Sequence, residues 1–189
     1  MIFCNLKDLL TVWVLTYMSI EDEILDRVRR GMLFPLVPKA AGAPVRRAMF
    51  VAERLWNMLN SPEGDAEWEE RIGKLRADLE IFVTESSVTP RYLFLLYPAS
   101  DGVWEIRSVR NLPSLRVLGL FADTDVFVST NHALREELGG WQSREWKHVK
   151  RFARAVWRQL FPAFPPKITM NVDEVCSGAT HEIFYKERS

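Results

Sequence analysis

The chain has 189 residues, of which 48% are hydrophobic and 26% are charged, a balance typical of folded proteins that excludes disorder of the whole chain. The 25 lysines and arginines equal the 25 aspartates and glutamates, and zero net charge argues against a generic polyanion binder. Cys4 and Cys176 lie near opposite ends and form neither a metal-ligand spacing nor a disulfide framework. We therefore expect a protein of a reducing compartment, the cytoplasm, with no metal and no cofactor.

The beginning of the chain is apolar but short. No run of about 18 apolar residues occurs, so we expect no transmembrane helix and no membrane partner. The stretch from Leu9 to Met18 has no small-residue cleavage site after it, which favours a short packed helix or strand over a signal peptide. Met18 is an alternative start, so residues 1–17 are treated as an uncertain segment.

Three helices are predicted before the first strand. Ser19 can cap a helix with an acidic first turn, which Gly31 then ends. Apolar residues at helical spacing predict a second helix from Pro44 to Asn60 and a third over about 66–84, whose start is strongly acidic. Residues 18–62 are therefore interpreted as a helical extension.

At Pro90 the apolar pattern changes from helical spacing to strands. Four apolar runs separated by turn sequences cover residues 92–97, 103–109, 115–121 and 126–130. Short connections predict that neighbouring strands pair as a four-stranded antiparallel meander over about 91–130. Glu105 and Arg107 should share the sheet face opposite Trp104 and Ile106. The predicted fold class is α+β, with a core domain over 63–162.

An amphipathic helix is expected to follow the sheet, with Ser143 as its cap and Leu160 near its end. Its polar side carries one acid, Glu145, and six cations: Arg144, Lys147, Lys150, Arg151, Arg154 and Arg158. These cations could hold phosphates. The alternatives are a solvated helix face, or packing against the acidic helix 66–84. Residues 163–189 are interpreted as a C-terminal tail.

Arginines are frequent in the predicted sheet. Because strand residues of the same parity point to one face, Arg107, Arg110 and Arg116, with Arg91 nearby, could form one patch. Guanidinium groups bind phosphate through two donors and stack on bases. The alternative is that these arginines form ion pairs with Glu105 or with the acids of the third turn.

His132 is the candidate proton-transfer residue. It follows the predicted fourth strand in a loop, where an imidazole could act as general acid or base or could be inert. The other candidate metal ligands, His148, His181 and Cys176, are too scattered in the sequence to indicate a metal site.

Three strand sequences carry a family resemblance. They are DGVWEIR at 101–107, LRVLGLF at 115–121 and VFVSTNH at 126–132. Their order resembles the RelE/HigB-like toxin superfamily, which shows a (W/Y)E(L/I)R strand, then an RVL strand, then an apolar strand leading into a basic loop. The resemblance covers roughly residues 66–138.

The resemblance implies a small α+β toxin-type domain, in many members a ribosome-dependent mRNA endoribonuclease that an antitoxin protein neutralises. A positively charged sheet face would hold the RNA, whose own 2′-hydroxyl would be the nucleophile, so no metal is required. Within this reading the catalytic residues are His132, Arg107 and Arg116. The substrate-binding residues are Arg91, Arg110 and Arg135.

The sequence also departs from the family pattern. Glu136 and Glu137 follow Arg135 where members often have a Lys-Lys pair, and these acids would repel RNA phosphate. The alternative function is therefore a non-enzymatic protein of the same fold. It would bind nucleic acid, or it would bind a protein partner or a second copy in a homodimer through helices 44–60 and 66–84.

Overall fold

The computed structural model describes residues 19–60, 63–108 and 114–179. The uncertain segment 1–17, Arg110, His181 and the end of the predicted tail lie outside these residues. The helices are α1 (Ile20–Arg29), α2 (Glu53–Asn60), α3 (Ala66–Thr84) and α4 (Arg144–Leu160). The strands are β1 (Leu33–Pro35), β2 (Ala48–Ala52), β3 (Leu93–Leu95), β4 (Trp104–Ser108), β5 (Leu115–Asp123) and β6 (Val126–Leu134).

The strands form one mixed sheet in the order β1-β2-β6-β5-β4-β3. From β3 to β6 each strand pairs antiparallel with the next, which fits the order of the predicted meander, although β5 and β6 run further than predicted. Two further strands extend it, because β2 pairs in parallel with β6 and β1 pairs antiparallel with β2. The α+β class is confirmed, but the sheet has six strands in the described chain and not four.

The predicted helix from Pro44 to Asn60 is wrong in its first half. Residues 48–52 form β2, and only Glu53–Asn60 is helical. Met49 and Val51 are buried while the residues between and beside them are half-buried, which is the period of a strand. Pairing with β6, far along the chain, decides the conformation here. The described part of the predicted helical extension therefore contributes two strands to the sheet.

Both faces of the sheet are covered. Face A is the side to which Trp104, Ile106 and Val117 point, and it packs against α2 and α3. Face B is the side of Leu118 and Val128, and it packs against α1 and α4. Consecutive strand residues alternate between the two faces, so each strand contributes to two separate cores.

The prediction that α4 could pack against α3 is wrong. The buried residues of α3 belong to the core on face A and those of α4 to the core on face B. The basic side of α4 instead meets the loop after β3, where Arg154 contacts Asp101 at 2.6 Å. The acidic start of α3 and the basic side of α4 therefore lie on opposite sides of the protein.

The helix starts agree with the sequence. The side chains of Ser19, Asp65 and Ser143 accept hydrogen bonds from backbone N–H groups in the first turns of α1, α3 and α4. These caps satisfy donors that the helix itself leaves unpaired. Among the described helices, none is both long and apolar enough to cross a membrane.

The described part of the predicted tail belongs to the folded domain. Val172, Val175 and Cys176 are buried in the core on face A. Arg47 fixes this segment, because its guanidinium donates to the carbonyl of Ser177 and to carbonyls at the end of α3. Its Nε lies 3.3 Å from Asp125 in the turn between β5 and β6.

Candidate nucleic-acid interface

Arg107 and Arg116 meet on face B around one carboxylate. They are directly opposite each other in β4 and β5, so their side chains share a face. Glu105, two residues before Arg107, is fully buried; its Oε1 lies 2.5 Å from Arg107 Nε and its Oε2 lies 3.5 Å from Arg116 Nε. The gathering of these two arginines is confirmed, and so is their ion pairing with Glu105.

Burial controls the charges of this group. It raises the pKa of the Glu105 carboxyl, and the nearby Arg107 and Arg116 oppose that increase. Burial also lowers the pKa of Arg116, against the attraction of Glu105. Arg116 is 8% exposed and its Nη1 donates to the carbonyl of Leu115. Its charge therefore serves to balance Glu105 inside the protein.

Two aromatic rings lie near the guanidinium of Arg107. Its Cζ lies 4.1 Å from the ring centre of Phe94 and 5.8 Å from that of Trp141. Trp141 stacks on the buried Trp146 with ring centres 4.9 Å apart, yet 53% of Trp141 is exposed. Arg135 Cζ lies 6.0 Å from the same ring. We call this group the arginine–tryptophan cluster: Phe94, Glu105, Arg107, Arg116, Arg135 and Trp141.

The loop between β6 and α4 fixes the position of Trp141. It begins with a short 3-10 turn, Arg135–Leu138, and then turns at Gly139, whose φ of 60° and ψ of −150° favour glycine. Arg135 Nη1 donates to the Gly139 carbonyl at 2.9 Å, and Ser143 Oγ donates to the Leu138 carbonyl at 2.6 Å. The exposed tryptophan is thus held by a hydrogen-bonded loop between two ordered elements.

The basic side of α4 continues from this cluster. The segment after Phe94 runs along the helix, since Lys150 donates to the carbonyl of Tyr97 and Arg154 pairs with Asp101. The remaining cations on this side are Arg144, Lys147, Arg151 and Arg158. All four are exposed, and none forms an ion pair with a carboxylate in the described part of the chain. We call α4's six cations the cation row.

His132 does not join the predicted catalytic group. It lies within β6, not in a loop, and pairs with Val117 in β5. It therefore points to face A, whereas Arg107 and Arg116 point to face B. Burial, with the positive charge of Arg54, lowers the pKa of His132 to about 4. Its Nδ1 is buried without a hydrogen-bond partner in the described structure.

The other predicted site residues are distributed unevenly. Arg135 is in the arginine–tryptophan cluster, whereas Arg91 is exposed in the turn before β3 and makes no hydrogen bond or ion pair with the cluster. Arg110 lies outside the described residues. In the ranges that the structure describes, no group of three or more His, Cys, Asp or Glu side chains could hold a metal ion.

Comparisons with protein-family models, with curated proteins and with solved structures found no match. The resemblance to RelE/HigB-like toxins therefore stays a prediction from the strand sequences.

Sequence reasoning missed two aromatic members of the site. Trp141 follows the Gly139-Gly140 pair in an otherwise polar loop, and a large aromatic residue in such a loop is a detectable signal of a binding surface. Phe94 offered no such signal, because its sequence run is continuously apolar. Its side chain reaches Arg107 only because β3 pairs with β4 in the observed register.

Proposed function

We propose that the protein binds single-stranded RNA through the arginine–tryptophan cluster and the cation row of α4. The observation that carries this proposal is the half-exposed Trp141, stacked on Trp146 and placed within 6.0 Å of two guanidinium groups. An exposed ring of this kind can stack with an unpaired base, which is worth about 1–3 kcal/mol per base.

The cation row supplies the second part of such a surface. Lys147 and Arg151 lie about 6 Å apart along the helix axis, and Arg158 lies about 10 Å beyond Arg151, so the three side chains can contact phosphates along one strand. They begin close to Trp141 in sequence, and helical spacing places them on the same side of α4 as Lys150 and Arg154, which contact the loop after β3. Aromatic stacking beside a positive track is the usual design of single-strand binding surfaces.

The zero net charge of the chain is compatible with this function because many of the acids lie away from the cation row, although Glu136 and Glu137 are exposed beside Arg135. The acids Glu67 and Glu69 lie in the first turn of α3, on face A, whereas the cation row lies on the helix that covers face B. A polyanion therefore meets a locally positive surface although the total charge is balanced.

We propose binding and not cleavage. The cleavage predicted by the RelE/HigB-like resemblance needs His132 beside Arg107 and Arg116, and these residues point to opposite faces of the sheet. Arg116 is also nearly inaccessible to a ligand. Ribosome-dependent cleavage, an antitoxin partner and a homodimer stay predictions of the sequence. Mapping transcript ends after induced expression tests cleavage, and new ends that disappear with His132→Gln would contradict our proposal.

The test of binding is fluorescence anisotropy with a labelled single-stranded RNA 12-mer and the blunt duplex of the same length, each over a range of salt. Trp141→Ala should weaken single-strand binding about tenfold, since one stacked base is lost. The triple variant Lys147→Gln, Arg151→Gln, Arg158→Gln should weaken it further. It should also reduce the slope of log affinity against log salt by about 2, at about 0.7 per phosphate contact.

The matched controls carry the same chemical changes away from this surface. Phe152→Ala removes a different exposed aromatic residue, which lies on α4 and outside the arginine–tryptophan cluster. Lys39→Gln, Arg46→Gln, Lys74→Gln removes three cations from the loop before β2 and from α3. Both should bind RNA like the wild type. Equal binding of duplex and single strand, or equal losses in test and control variants, would reject the proposal.

A further inference from the structure

Arg107 differs from Arg144, Lys147, Arg151 and Arg158 of α4 in that contacts with a carboxylate and a ring already hold its guanidinium in place. Its Nε contacts Glu105 at 2.5 Å, and its guanidinium lies 4.1 Å over the Phe94 ring. An arginine held in this way loses little conformational entropy when it binds a ligand.

The outer end of this guanidinium is available. Only the Nε of Arg107 takes part in a hydrogen bond with the described residues, and the side chain is 18% exposed. The two Nη groups therefore present a pair of parallel donors beside Trp141, 5.8 Å from its ring centre.

The carboxylate behind Arg107 argues against phosphate as its ligand. Glu105 is within contact distance of Arg107 and near Arg116, so much of the attraction of Arg107 for a second anion is offset. Arg144, Lys147, Arg151 and Arg158 of α4 have no such partner among the described carboxylates and are the better phosphate ligands. The useful feature of Arg107 is therefore the geometry of its two parallel Nη donors, which can bind a neutral group with two acceptors.

We propose that Arg107, beside Trp141, selects an unpaired guanine. A purine that stacks on Trp141 can bring one edge towards the Nη donors, and of the two purines only guanine offers two adjacent acceptors, O6 and N7, to such a pair. Adenine presents one acceptor and one donor on that edge, so it would meet an Nη group with its own amino group. This inference rests on the proposed single-strand binding and adds a base preference to it.

The experiment compares wild-type binding of labelled U-rich 7-mers whose central base is guanine, adenine, cytosine or 7-deazaguanine. The guanine 7-mer should bind about tenfold more tightly than the adenine 7-mer, since a good two-acceptor pair discriminates by about 1–3 kcal/mol. 7-Deazaguanine keeps O6 and lacks N7, and should lose most of that advantage. This comparison uses only the wild-type protein, so its result does not depend on whether a variant folds.

Substitutions distinguish the preference for guanine from the overall affinity for RNA. Arg107→Lys keeps the charge beside Glu105 but removes the paired donors, so it should bind the guanine and adenine 7-mers equally, at the wild-type affinity for adenine. Trp141→Ala should weaken all four 7-mers. The matched control is Arg76→Lys, since Arg76 is also a nearly buried arginine paired with a glutamate, at 3.3 Å from Glu80, but on α3. It should keep the guanine preference.

The outcomes distinguish the two proposals. Equal wild-type affinity for the four 7-mers, together with a loss on Trp141→Ala, would overturn guanine selection and leave single-strand binding in place. Guanine selection would also be overturned if 7-deazaguanine kept the full advantage of guanine over adenine, or if Arg107→Lys kept the guanine preference. Absence of binding to every 7-mer would overturn both proposals.

Discussion

The two faces of the sheet use alternate residues of the same strands in different ways. On face A, Trp104, Phe121 and Phe127 pack ring against ring with Phe82 of α3. On face B, apolar packing beneath α4 gives way between β4 and β5 to a buried carboxylate with two arginines, of which Arg107 lies near Trp141. Face A holds a packed apolar core, whereas this part of face B holds charged side chains next to the exposed Trp141, where we propose that a ligand binds.

The largest expected effect tests the packing on face A. Phe121→Ala removes a fully buried ring that lies 5.6 Å from Trp104 and 5.1 Å from Phe127, centre to centre. The free energy of unfolding should fall by about 4 kcal/mol, measured by urea denaturation. Phe152→Ala, at an exposed position, should change it by less than about 1 kcal/mol. Similar losses in the free energy of unfolding for both variants would contradict the view that the packed rings of face A stabilise the fold.

Glu105→Gln tests whether the carboxylate supports face B. The change keeps the shape of the side chain but leaves Arg116 without its buried partner. We expect a loss of about 3 kcal/mol in the free energy of unfolding, as for a broken buried ion pair. Glu136→Gln, at an exposed acid, is the control and should have an effect below about 0.5 kcal/mol. A variant as stable as the wild type would show that the arginines need no carboxylate.

His132→Gln tests the role of the histidine on face A. The folded protein holds the pKa of His132 at about 4, below the ordinary value of 6.5, so between these pH values the unfolded chain binds more protons. The part of the free energy of unfolding that depends on a neutral His132 is fully present above pH 6.5 and is lost as the pH falls through 4. The loss amounts to about 2–3 kcal/mol.

The variant should lack this part of the pH dependence, which is read as the difference between wild-type and variant denaturation curves from pH 7 to pH 4. Carboxylates that titrate in the same range cancel in that difference. His148→Gln removes an exposed histidine of α4 and should follow the wild type. Parallel curves for His132→Gln and the wild type would indicate that the imidazole is not buried as a neutral group.

Local patterns predicted much of the fold. Ser19 and Ser143 cap helices where the sequence places them, and α3 has the predicted bounds. The meander was predictable because its strands are short and follow one another closely. β2 was not predictable, because Val45, Met49 and Ala52 match helical spacing. Only pairing with a strand far along the chain overrides that local pattern.

The site was predictable only in part. The alternation of side chains along a strand predicted that Arg107 and Arg116 lie on one face of the sheet, and they do share a face. The same reasoning could not place His132, because β6 runs to Leu134 and its register with β5 shifts at a bulge between Leu118 and Gly119. An extra residue in one strand changes which face the following side chains occupy.

The parallel pairing of β2 with β6 also has a consequence for how the chain folds. These strands are about 80 residues apart in sequence, whereas the β3–β6 meander closes through short connections. Long loops close late because their ends must first be brought together. We expect the meander to form before β1 and β2 join it. During synthesis, β2 would wait for a partner that emerges much later, with Met49 and Val51 open to aggregation until β6 is made.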